Sequence, residues 1–113
     1  MADVLYGAGK AFGMRNILDQ VTELQLQTSA RAEISTLAVT GATAFTTNAT
    51  TGIATNDNAL VFTIDVADIT DIASLVSFHT ATDELLSVDL DSTLTITHAG
   101  EATIAAGDLS ISL

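Results

Sequence analysis

Carboxylates are the one abundant reactive side chain among the 113 residues. Asp65, Asp68 and Asp71 recur every third residue, Asp83 and Glu84 are adjacent, and Asp89 and Asp91 share one side of a two-residue rhythm. Clustered carboxylate and carbonyl oxygens are what a hard cation such as Ca2+ takes, so residues 65 to 71 and 89 to 91 are the places where a cation could sit. Neither follows an EF-hand spacing, and a solvated acidic rim is the expected reading, with no metal. His79 and His98 could serve as general bases or ligands, yet no motif frames either one. No Ser stands in a G-x-S-x-G turn and no Ser-x-x-Lys occurs. Gly7-Ala8-Gly9-Lys10 lacks the spacing and the preceding strand of a phosphate loop. The chain contains no Cys, which excludes disulfides, thiolate metal sites and thiol nucleophiles. A protein without enzymatic chemistry and without a cofactor is the expectation.

The elements that must position these groups read mostly as strands. Leu24 and Leu26 alternate with Gln25 and Gln27, Leu37 and Val39 with Ala38 and Thr40, and Leu60, Phe62, Ile64 and Val66 with Val61, Thr63 and Asp65. The pattern returns at Val76 and Phe78, at Leu86, Val88 and Leu90, at Leu94 and Ile96, and at Leu109, Ile111 and Leu113. Successive side chains of a strand point to opposite faces, so each run has one apolar and one polar side. Turn residues punctuate the runs at Gly41, Asn48 to Gly52, Asn56 to Asn58, Ala67 to Asp71, Thr82-Asp83, Ala99-Gly100 and Ala106-Gly107. Short antiparallel strands at this spacing predict a mainly β fold, a jelly-roll-like β-sandwich spanning residues 23 to 113. Residues 42 to 59, rich in Thr, Ala and Asn, read as a long surface loop or weak edge strand.

Residues 1 to 22 are different. Leu5, Ala8, Phe12, Ile17, Leu18 and Val21 fall roughly at helical spacing, and a helix is expected from about Lys10 to Val21. Gly7, Gly9 and Gly13 each disfavour a helix by about 1 kcal/mol relative to Ala. Met1 to Gly9 therefore reads as an arm.

Charge divides the chain the same way. Lys10, Arg15 and Arg31 balance Asp3, Asp19 and Glu23, so residues 1 to 31 are neutral, whereas the rest carries eleven acids and no base. The net charge of -11 would repel a phosphate backbone and argues against nucleic-acid partners. No run approaches the roughly 20 apolar residues of a membrane span, and no secretory leader is recognisable, so a soluble, unexported protein is expected. With 48% hydrophobic residues the chain should fold as a single domain.

The stretch from Leu75 to Leu113, LVSFHTATDELLSVDLDSTLTITHAGEATIAAGDLSISL, resembles a family of small tailed-phage virion proteins described as head decoration (cement) or tail-fibre proteins. That family runs from an apolar strand through Ala-Thr-Gly-Gly-Asn-Leu-Leu to a closing Ile-x-Ala-Gly-Asp-Leu-Thr-Ile-x-Leu. Phe78, Ala81, Thr82, Leu85, Leu86, Thr93, Ala99, Gly100, Ile104, Ala106, Gly107, Asp108, Leu109, Ile111 and Leu113 match. Asp83-Glu84 replaces its Gly-Gly, and Ala105 stands where Pro is usual.

The resemblance implies a virion structural protein, made in the host cytoplasm, that binds the major capsid protein on the outside of the head as a homotrimer and strengthens the shell. Subunits of this charge can meet only through apolar surfaces, with the acids turned outward where salt screens them beyond about 8 Å. The neutral N-terminal segment is the expected capsid contact, carried by Leu5, Tyr6, Lys10, Phe12, Arg15, Ile17 and Leu18. A chain beginning near Glu23 should then bind heads poorly. The alternative within the same resemblance is a tail-fibre or host-adhesion module that touches glycans or a receptor through loops such as Asn48 to Asn58.

Overall fold

The computed structural model describes residues 5–69, 71–96 and 99–113, without the side chains of Asp68 and Asp91. The chain runs α1 (Gly7–Gln20), β1 (Glu23–Gln27), β2 (Glu33–Ala38), α2 (Gly41–Ala44), β3 (Phe45–Thr47), β4 (Ala54–Asn56) and β5 (Leu60–Ile64). After a 3-10 turn at Val66–Asp68 come β6 (Ile72–His79), β7 (Glu84–Thr95), β8 (Gly100–Ile104) and β9 (Ser110–Ile111). The fold is mainly β and sandwich-like, with antiparallel pairing throughout the described ladders.

A four-stranded sheet has the order β2-β1-β6-β7, β3-β4-β9 forms a second sheet, and β5-β8 a third, with β5 lying alongside β2. The alternation in the sequence sets which faces meet. Leu24 and Leu26 of β1 pair with Phe78 and Val76 of β6, and all four are buried. Phe62 and Ile64 of β5, Phe45 of β3, and Leu109 and Ile111 near β9 close over them in one core. The Phe45 and Phe78 rings sit 5.4 Å apart, tilted by 48°, which ties the second sheet to the first.

Several boundaries differ from expectation. Helix α1 starts at Gly7 inside the expected arm, because Lys10 N–H already reaches the Tyr6 carbonyl at 2.8 Å. Residues 42 to 59 take the edge-strand form and not the long loop: most of α2 is followed by β3, at the edge of its sheet, and β4, with Phe45, Ala54 and Asn56 buried. Their large apolar content is low because β3 and β4 are three residues each and only alternate positions face inward. Strand β2 begins at Glu33, earlier than the alternation at Leu37 suggests, and Gly100–Ile104 forms a strand with no clear rhythm of its own, held by its pairing to β5. Strand β7 runs through both of the expected runs, with a register shift against β6 between Asp89 and Leu94.

Helix α1 belongs to the same core. Ala11, Met14 and Leu18 face inward, and Met14 and Leu18 join Phe62 and Phe78 in the core cluster. The helix has no side-chain N-cap, no acid in its first turn and no base in its last. A 14-residue segment with three glycines is marginal alone, so tertiary burial holds it.

Candidate partner-binding surface

The expected contact residues divide cleanly. Leu18 is 2% exposed and lies in the core, which corrects its assignment to an outward surface: it follows Ala11 and Met14 on the inward side of the helix. Lys10 and Ile17 are half-buried. Arg15 is exposed, and Leu5, Tyr6 and Phe12 are 54%, 75% and 68% exposed, large values for apolar and aromatic side chains in a chain with a filled core.

These groups form a built surface. The Arg15 guanidinium lies 5.0 Å from the centroid of the Phe12 ring, a cation–π contact made by residues one helical turn apart. Leu5 folds back so that its Cδ1 lies close over Gly9, and Leu113 does the same over Gly13, four residues further along the same side of the helix. The two leucine tips thus cover the helix backbone at Gly9 and Gly13. Leu113 was not foreseen as part of this surface. Its neighbour in space is about 100 residues away in sequence, and nothing local could signal the contact.

Two close approaches fix the helix in place. A Cβ at Gly7 would collide with the Thr50 carbonyl, and one at Gly52 with Lys10 and the Ala11 backbone. Gly52 also has φ 75°, which suits glycine. The Asn48 to Gly52 turn is itself closed by Asn48 Oδ1, which accepts the Thr50 and Thr51 N–H groups at 2.8 and 2.9 Å. The loop therefore serves as a bracket for α1.

A second polar cluster covers the outer face of the first sheet. Ser77 Oγ donates to Glu84 Oε2 at 2.6 Å, Arg31 meets Glu84 Oε1 at 3.5 Å and donates to Ser87 Oγ at 3.2 Å, and His79 Nε2 lies 3.8 Å from Glu84 Oε2. Ser, His and Glu thus converge, but the Ser77 side chain is fully buried and donates its own proton to the carboxylate, with no route for a substrate to reach Oγ. The cluster ties β6, β7 and the β1–β2 turn together.

Among the described residues no group of three His, Cys, Asp or Glu side chains is placed to hold a metal. The Asp68 and Asp91 side chains and His98 lie outside the described residues. Nor does any described helix have the length and apolarity to cross a membrane. No family model, curated protein or solved structure matches this chain.

Proposed function

We propose that this protein is a non-enzymatic structural protein of a tailed-phage virion, a capsid decoration protein that docks on the major capsid protein at the outer head surface, with trimers as the bound form. The observation that carries the reading is the surface of α1: Leu5, Tyr6 and Phe12 outward, with Arg15 over Phe12, on a chain whose remainder is acidic. Such a surface combines apolar area, aromatic anchors and an arginine, the composition that concentrates binding energy at protein interfaces. The acids elsewhere keep the outer side solvated. The resemblance of residues 75 to 113 to small tailed-phage virion proteins, read from the sequence alone, adds the phage context.

Deleting residues 1 to 22 does not test this, because Met14 and Leu18 would leave the core with them. Point variants do. Tyr6→Ser combined with Phe12→Ser should melt like the parent and lose binding to empty heads that lack this protein. Imaging of virions provides the second reading: density for this chain on the head supports the proposal, and density at the tail overturns it in favour of a fibre or adhesion role.

A further inference from the structure

Strands β7 and β8 follow each other in the chain, yet they do not pair. β7 joins β6 in the four-stranded sheet, β8 joins β5, and each is an edge. Between their facing edges runs a furrow made of two hollows. One, of about 390 Å3, is lined by Leu90, Ser92 and Leu94 of β7, Ile104 of β8, and Asp108 and Ser110. The other, of about 150 Å3, continues past Leu94 and Thr103 to Ile96 and Glu101 near the β7–β8 turn. The larger hollow falls within the size range of ordinary ligand sites.

Backbone hydrogen-bonding capacity lies along this furrow. β7 is laddered to β6 on one side only, with its outer edge toward β8, and its register jumps from Leu75↔Asp89 to Ala73↔Leu94. β8 is laddered to β5 on one side only. A strand inserted between β7 and β8 would cover both of these edges. Leu90, Ser92 and Leu94 are spaced by two, as pockets for alternate side chains of an added strand require.

The charge of the furrow selects the occupant. Asp108 and Glu101 line it and are exposed, Asp89 is exposed beside Leu90, and no Lys or Arg lines either hollow. A second copy of this chain has no basic strand to offer: Lys10 and Arg15 are in α1 and Arg31 is in the β1–β2 turn. We propose that the β7–β8 furrow is a strand-acceptor site for an extended, lysine- or arginine-bearing segment of a different protein, bound by β-augmentation. This goes beyond the docking of α1 and needs no phage partner.

The test uses the full chain and a short synthetic peptide of alternating lysine and valine, read by amide hydrogen exchange. The expected result is slowed exchange in β7 from Leu90 to Thr95 and in β8 from Gly100 to Ile104. A glutamate–valine peptide and a backbone N-methylated lysine–valine peptide should each bind about tenfold more weakly, through lost charge complementarity and lost hydrogen bonds respectively. Ser92→Pro, at a position within the register shift against β6, should abolish the protection while leaving thermal melting unchanged. No protection at either strand, protection at β2 or α1 instead, or equal binding of the N-methylated or glutamate peptide overturns the proposal. Because no head component is present, failure here leaves the decoration role standing, and failure of head binding leaves this site standing.

Discussion

The side-chain carbonyl of Asn56 accepts the backbone N–H of Leu109 at 3.0 Å across 53 residues of chain. Its amide donates to the carbonyls of Asn58 and Ala105 at 2.8 and 3.0 Å. Its backbone carbonyl takes the Gly107 N–H at 2.9 Å, and its own N–H reaches the Leu109 carbonyl. A residue 2% exposed thus has every polar group paired, and it joins β4 to the turn that launches β9. Asn56→Ala should lower stability by about 1–3 kcal/mol, because the buried Leu109 N–H loses its partner and the part-buried bonds to the Asn58 and Ala105 carbonyls are lost with it. Asn56→Asp should be at least as damaging, since it sets an oxygen against the Asn58 and Ala105 carbonyls. Urea unfolding of the three proteins measures both differences.

Two helix glycines should respond oppositely to the same substitution. Gly7→Ala drives a Cβ into the Thr50 carbonyl and should destabilise by about 1–3 kcal/mol. At Gly13 the nearest obstacle is the Cδ1 tip of Leu113 at 3.2 Å, which can turn aside, so Gly13→Ala should gain up to about 1 kcal/mol of helix propensity. Thermal melting of each variant gives the sign. Equal effects would mean that the helix does not dock through Gly7.

Arg31 occupies a left-handed conformation, φ 66°, in the turn between β1 and β2. The turn is closed by the Arg31 N–H on the Thr28 carbonyl and the Thr28 N–H on the Ala32 carbonyl, both at 2.9 Å. A non-glycine residue there costs roughly 1–2 kcal/mol. Its exposed pair with Glu84, at 3.5 Å, returns less than about 1 kcal/mol. Arg31→Gly should therefore stabilise the protein slightly, with the gain growing at high salt as the lost ion pair counts for less. A loss of more than about 1 kcal/mol in chemical denaturation would show that the cluster around Glu84 is worth more than a surface pair.

At the α1 surface, Arg15→Glu should weaken binding to heads while Arg15→Lys retains part of it, because lysine keeps the charge without the planar stack on Phe12. Phe12→Leu should fall between the parent and Phe12→Ser. Equilibrium decoration of heads by the purified variants measures the series, and unaltered binding by Arg15→Glu would exclude this face as the contact.

Alternation of Leu24, Leu26, Phe62, Ile64, Val76 and Phe78 with polar neighbours determined by itself that the chain is sheet-built, and which side of each strand faces inward, since a period of two leaves no other way to bury those residues together. The charge boundary near Arg31 likewise needed no structure. Tertiary contacts decided the rest. Gly7 belongs to a helix because the turn at Thr50 leaves room for a backbone, and Leu18 faces inward because Met14 already does, although its spacing from Leu5 and Phe12 suits either side. Asn56 reads locally as turn chemistry, yet its partners lie about 50 residues on, at Ala105 and Leu109. The separation of β7 from β8, two strands that adjacency in sequence would pair, follows from the competing ladders that β6 and β5 offer them. Pairing depends on which edges meet in space, and side-chain period carries no information about that.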